Sequence, residues 1–181
     1  MKLRENKTQY AILGMLSFAP KSGYDISQTI AHSTAFFWAE SDGQLYPILK
    51  KLCAKHLVTV AHEKKSGKHA KKIYSITNEG KKVLTDWLEQ SPVTFNYRNE
   101  FLLQLFFGRN IPKKKNIEKI KAYQSSLEQQ LKLFGSFEDL IHEKSKDPTY
   151  SLLTLAFGQQ SLTAEITWCK HAIKTLENHR A

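Results

Sequence analysis

Between Pro148 and Arg180, the positions Leu152, Leu155, Gln159, Leu162, Ile166, Cys169, Ile173 and Leu176 recur at alternating intervals of three and four residues. Such a heptad seam belongs to a long helix lying against another helix. A helix of about 30 residues spans ~45 Å at ~1.5 Å per residue. A small domain of a single chain does not cover that distance, so the spacing predicts a partner helix. The apolar members of the seam are the expected dimer contact. Asp147-Pro148 gives this helix its start. Ahead of it, Ile117, Ile120, Leu127, Leu131, Phe134 and Ile141 fall at similar spacing, interrupted at Gln124 and Gly135. That stretch can return as an antiparallel hairpin on the last helix. Periodicity leaves open which face of these helices meets a second chain.

The first half is punctuated differently. Thr8 to Phe18 is rich in apolar residues and is stopped by Pro20, which predicts a mostly buried helix. Ser22-Gly23-Tyr24-Asp25 has the spacing of a capping box, with Ile26 and Ile30 on one face of the helix it opens. That second helix is expected to end between His32 and Phe37. Leu45, Ile48, Leu49, Leu52 and Cys53 have the spacing of a third helix with one buried stripe. Gly43, Pro47, Lys50 and Ala54 form its opposite face, flanked by Gln44 and Lys51. A start at Ser41 would enclose Pro47, whose missing N–H costs roughly 3 kcal/mol inside a helix. A later start or a kinked first turn is therefore expected. Residues 57–63 and 72–77 are rich in β-branched and aromatic residues around Ser66-Gly67, which reads as a β-hairpin with a basic tip. Thr77 or Asn78 caps a fourth helix that turns Val83, Leu84, Trp87 and Leu88 inward.

Three helices, a hairpin and a helix make the layout of a winged helix-turn-helix, whose third helix enters the major groove of DNA while the hairpin lies along the backbone. The fold class expected is mostly α with a small β-hairpin. Residues 1–90 form the DNA-binding domain and residues 91–181 a long-helix dimerisation domain. Charge supports the reading. The 181 residues carry 27 Lys+Arg against 17 Asp+Glu, a formal charge of +10, which favours an anionic partner. Lys64, Lys65, Lys68, Lys71 and Lys72 crowd the hairpin with His69, and Lys50 and Lys51 sit on the third helix. Phosphate contacts from these lysines set affinity and salt dependence without reading sequence. Gln44 has two readings: a base-edge reader, since an amide pairs bidentately with adenine, or a helix cap.

Other functions find little in the chain. GxSxG, P-loop, HExxH and GxGxxG patterns are absent, and the seven histidines are scattered without ligand spacing, so neither catalysis nor a metal or cofactor is expected. The two cysteines, Cys53 and Cys169, lie far apart outside any CxxC pattern, which points away from a disulfide framework and toward a cytoplasmic setting. No apolar run reaches the ~20 residues that cross a bilayer.

Six motifs then occur in order and register: Tyr10-Ala-Ile-Leu-Gly14, Ser22-Gly-Tyr-Asp-Ile26, Phe37-Trp38, Gln44-Leu-Tyr-Pro47, Leu49-Lys-Lys-Leu52 and Tyr74-Ser-Ile-Thr77 with Gly80. Together they resemble the PadR family of bacterial transcription regulators across the whole first domain. Arg98-Asn-Glu-Phe101 resembles the Arg/Lys-Asp-Glu-Phe motif that opens the family's second domain, with Asn99 in place of the usual acid. The long second half resembles the branch that includes phenolic-acid-responsive repressors and virulence regulators. The resemblance implies a dimer, and it implies DNA contacts at Ser22, Tyr24, Gln44 and Tyr46, with Pro47 structural. Lys21 stands beside them as a further cation.

Aromatic residues gather where the two halves join, at Phe36, Phe37, Trp38, Phe95, Tyr97, Phe101, Phe106 and Phe107. A pocket lined by Phe36, Trp38 and Phe101, with His32, Tyr97 or Arg98 as polar anchors, would suit a flat aromatic effector. Ordinary core packing is the competing reading. The function expected is a dimeric, sequence-specific regulator on an inverted repeat, a repressor because blocking a promoter needs no further contact. A ligand-independent activator or an architectural DNA binder of the same fold is the alternative.

Overall fold

The computed structural model describes residues 7–34, 37–38, 42–63, 71–91, 98–144 and 147–179. The chain divides into two compact units, Met1–Thr94 and Phe95–Ala181.

In the first unit the order is α1 (Thr8–Phe18), β1 (Lys21–Ser22), α2 (Gly23–Ala31), α3 (Asp42–Ala54), β2 (Val58–Glu63), β3 (Lys71–Ile76) and α4 (Asn78–Leu88). The three strands form an antiparallel sheet in the order β1-β3-β2. Lys21 faces Tyr74 and Ser22 faces Ile73 across the first pairing. The hairpin expected from the sequence thus gains a third strand only two residues long. Ile12, Leu13 and Leu16 of α1, Ile26 and Ile30 of α2 and Leu45, Leu49 and Leu52 of α3 close into one core with Val58, Tyr74 and Leu84. Each such aliphatic side chain contributes about 1.5–3 kcal/mol on burial. Tyr10 stacks on Trp87 with ring centroids 4.5 Å apart, fixing α1 against α4. Leu88 is a correction: it is 65% exposed at the end of α4, one residue past the ring that closes the core.

α3 starts at Asp42 and contains Pro47. Of the two alternatives weighed for Pro47, the later start is not taken. The proline removes a single hydrogen bond, the one Gly43 C=O would accept, and both residues lie on the exposed face where water replaces it. Where α3 meets β2, Thr77 ties the turn together. Its hydroxyl accepts the Gly80 N–H at 3.0 Å to cap α4 and donates to the carbonyls of His56, at 2.9 Å, and Leu57, at 3.1 Å. A Cβ on Gly80 would stand 2.1 Å from the Leu57 carbonyl oxygen, so no larger residue fits.

The second unit is helical: α5 (Glu100–Phe106), a 3-10 turn at Gly108–Asn110, α6 (Lys113–Gly135), α7 (Phe137–Lys144) and α8 (Thr149–Asn178). Asn99 caps α5 by accepting the Leu102 N–H at 3.0 Å, a task that needs no charge and accounts for an amide at this position. α6 and α8 run antiparallel, with Lys113 Nζ donating to the His179 carbonyl at one end and Tyr123 donating to Glu165 further along. Ile120, Leu127 and Phe134 of α6 pack on Leu155, Leu162, Ile166 and Cys169 of α8, with Ile173 and Leu176 partly buried against them. This is the antiparallel hairpin that the spacing allowed, and it occupies much of the expected dimer seam within one chain. The seam's central positions are filled by the chain's own α6, because a 23-residue helix of matching periodicity follows immediately in space. Leu152 is half-buried at the other end. Asn116, buried, donates to the Gly108 carbonyl at 2.8 Å. Cys169 is fully buried, Cys53 on α3 half so, and both are free thiols. Among the described residues no helix is long and apolar enough to cross a membrane.

Candidate nucleic-acid interface

The capping box at Ser22 builds the first edge of the site. Ser22 Oγ accepts the Asp25 N–H at 3.1 Å, while Asp25 Oδ2 accepts the Ser22 N–H at 3.3 Å and its hydroxyl at 2.7 Å. Ser22 is buried, with its hydroxyl spent in the cap. Its part in the site is to fix the start of α2, whose dipole favours anions. Lys21, half-buried, and Tyr24, 65% exposed, flank it.

The second edge is α3. Its apolar stripe faces the core, so Gln44, Tyr46, Lys50 and Lys51 are left exposed. Gln44 lies in the first turn, compatible with either of its readings. The Tyr46 ring passes over Gly23: a Cβ there would come within 2.6 Å of Cε1. This glycine lets α2 and α3 approach at their starts.

β3 supplies the third edge. Lys71 Nζ lies 3.0 Å from Asp25 Oδ2. The Ser22 hydroxyl and then Lys71 hold the Asp25 carboxyl below the usual carboxylate range, so it is ionised at neutral pH. Burial pushes the Tyr74 phenol up, followed by the influence of Cys53 and Tyr46, so it remains a donor. Between these edges lies an open cavity of about 300 Å³, bounded by Ser22, Gly23 and Tyr24, by Tyr46, and by Lys71, Lys72 and Tyr74. Lysines, phenols and a helix start around a groove suit a phosphate.

The structure thus gathers Ser22, Tyr24, Tyr46 and Lys71, with Lys21 paired opposite Tyr74, and leaves Gln44, Lys50 and Lys51 on the same helix as Tyr46. Lys64, Lys65, Lys68 and His69 lie outside the described residues. Lys72, one of the hairpin lysines, also lines the cavity, whereas Gly23, Asp25 and Tyr74 are members that the sequence did not place in the site. The capping box already pointed to Gly23 and Asp25, and strand alternation to Tyr74. Of the expected effector residues, His32, Trp38 and Arg98 are exposed, and Phe36 and Tyr97 lie outside the described residues. Phe101 is engaged within the second unit, stacked on Tyr123 at 4.3 Å and edge-on to Trp168 at 6.2 Å.

A four-helix first unit with a short sheet and a basic third helix, together with a long-helix second unit, defines a winged helix-turn-helix regulator. The description "Transcriptional regulator PadR-like family" matches residues 12–86, and "Virulence activator alpha C-term" matches residues 97–177. The negative transcriptional regulator PadR of Bacillus subtilis is 33% identical over 135 residues, 74% of this chain and 74% of that protein. Its crystal structure in complex with operator DNA covers 94% of this chain and 99% of its own, at TM-score 0.84 and 27% identity. A crystal structure of B. subtilis PadR with p-coumaric acid covers 98% and 100% at TM-score 0.76 and 22% identity, a likeness of fold. The chain belongs to the PadR-like family of DNA-binding transcriptional regulators, which are not enzymes.

Proposed function

We propose that the protein is a cytoplasmic, dimeric repressor that binds an inverted repeat, with α3 in the major groove and the lysine-rich wing along the backbone. The observation that carries this reading is the cavity at which the start of α2, the start of α3 and β3 converge, with Tyr24, Tyr46 and Lys71 around it. Gln44 reads a base edge, Lys50 and Lys51 hold phosphates beside it, and Lys21, Lys64, Lys65, Lys68 and His69 extend the contact. Support for repression comes from the Bacillus relative, a negative regulator. The match of the second half to a family described as a virulence activator favours activation as the second reading.

With the α8 seam closed on α6, the dimer contact moves to exposed apolar residues. Tyr150, Leu153 and Phe157 form a stripe at helical spacing on α8, and Leu103, Phe106 and Phe107 stand exposed on and after α5. A two-fold dimer presents its recognition helices to half-sites one or two turns apart, each turn ~34 Å. A small aromatic acid is the proposed effector, by likeness to the p-coumaric acid complex.

The test is a titration of the protein against its own upstream DNA and a random duplex over a range of salt. Preferred binding to the upstream fragment at salt that strips the random duplex supports the reading, and equal binding to both favours an architectural role. Lys64→Ala with Lys65→Ala should weaken both complexes and lower the salt slope by about two. An unchanged slope removes the wing from the interface. Reporter transcription in a deletion strain separates repression from activation.

A further inference from the structure

We propose that Asp25 is a specificity-determining residue of the DNA-binding face: it holds Lys71 in an internal ion pair that random DNA leaves intact and a closely seated operator opens. The proposal rests on the DNA-binding reading above. Three donors meet at one carboxylate oxygen. Asp25 Oδ2 takes Lys71 Nζ at 3.0 Å, the Ser22 hydroxyl at 2.7 Å and the Ser22 N–H at 3.3 Å. The two Ser22 bonds and the positive start of α2 keep the carboxylate in place whether or not Lys71 stays.

Lys71 is different. It is 45% exposed, carries its charge on a flexible stem, and lines the cavity between Tyr24, Tyr46 and Lys72. An exposed ion pair is weak enough for a phosphate at short range to displace. Random DNA is held almost wholly by phosphate attraction. In that loose contact Lys71 gains little by leaving Asp25, and the pair presents no net charge. When α3 seats in its groove, the backbone comes down over the cavity and Lys71 exchanges carboxylate for phosphate. Asp25 thereby withholds one cation from the random complex and releases it to the operator complex.

Asp25→Asn keeps an oxygen for the Ser22 N–H and removes the charge. The probes are a random duplex and the site recovered by selecting the wild-type protein on a random duplex library. On the random duplex, the salt slope of Asp25→Asn is expected to steepen by about 0.9 and low-salt binding to tighten about threefold to tenfold. The slope on the selected site is expected to stay as in wild type, so discrimination falls. Lys71→Gln, which leaves the cap intact, is expected to do the opposite: the selected-site slope drops by about 0.9 and the random slope holds. Equal changes on both duplexes in either variant, or none, overturn the role of Asp25. A wild-type protein that binds no duplex overturns the DNA-binding reading itself.

Discussion

His56 has φ of 56°, the positive-φ non-glycine among the described residues, and it sits where α3 ends. Its N–H reaches the Cys53 carbonyl and that of Leu57 the Leu52 carbonyl, each at 3.0 Å. This is a Schellman closure, in which the left-handed position usually belongs to glycine. A side chain there costs roughly 1–2 kcal/mol, offset in part by the lower backbone entropy of a non-glycine residue. His56→Gly should therefore stabilise the first unit by about 0.5–1 kcal/mol, read as a higher urea midpoint at unchanged slope. Nothing in the sequence marks this turn, because histidine gives no turn signal and the closure is made by backbone atoms. The Ser22–Asp25 box was legible because both of its partners are side chains at fixed spacing. Thr77 was legible as a cap. Its second bond, to the far side of the hairpin, depends on a contact twenty residues away in sequence and was not.

Among the elements, the helices of the first unit were readable from apolar spacing, since each buries one stripe against a common core. β1 was not. Two residues have no periodicity, and Lys21–Ser22 are extended only because β3 is beside them. The long helix was placed within a residue or two of its observed ends, with its cover left open between the preceding helix and a second chain. A heptad seam specifies that a helix is covered and does not say by which chain, and α6 supplied the cover. That distinction predicts two different failures. Leu162→Ser with Ile166→Ser should unfold the α6–α8 pair, seen as lost helical circular dichroism, since each truncation removes about 2–5 kcal/mol of buried packing. Leu153→Ser with Phe157→Ser should leave helicity intact and halve the mass seen by light scattering. Retained dimer mass in that second variant would place the interface elsewhere.

At the scale of the whole molecule, net charge pointed to an anionic partner before any element was drawn, and the lysines of α3 and β3 indeed lie on exposed positions. What charge could not convey is that Lys71 is neutralised by an acid of another element, because Asp25 and Lys71 meet only once the chain is folded. The two halves also carry separate clocks. Each compact unit holds a single cysteine, Cys53 in the first and Cys169 in the second, both free and both with thiols pushed up by burial. A thiol reagent modifies the fully buried Cys169 only as fast as its surroundings open, while the half-buried Cys53 reacts at a rate set also by its direct exposure. Mass spectrometry of timed modification should resolve one rate for each half, and adding operator DNA should slow the Cys53 rate more than the Cys169 rate. The accessibility of the DNA-reading half and the opening of the helical half can then be followed side by side in an unaltered chain.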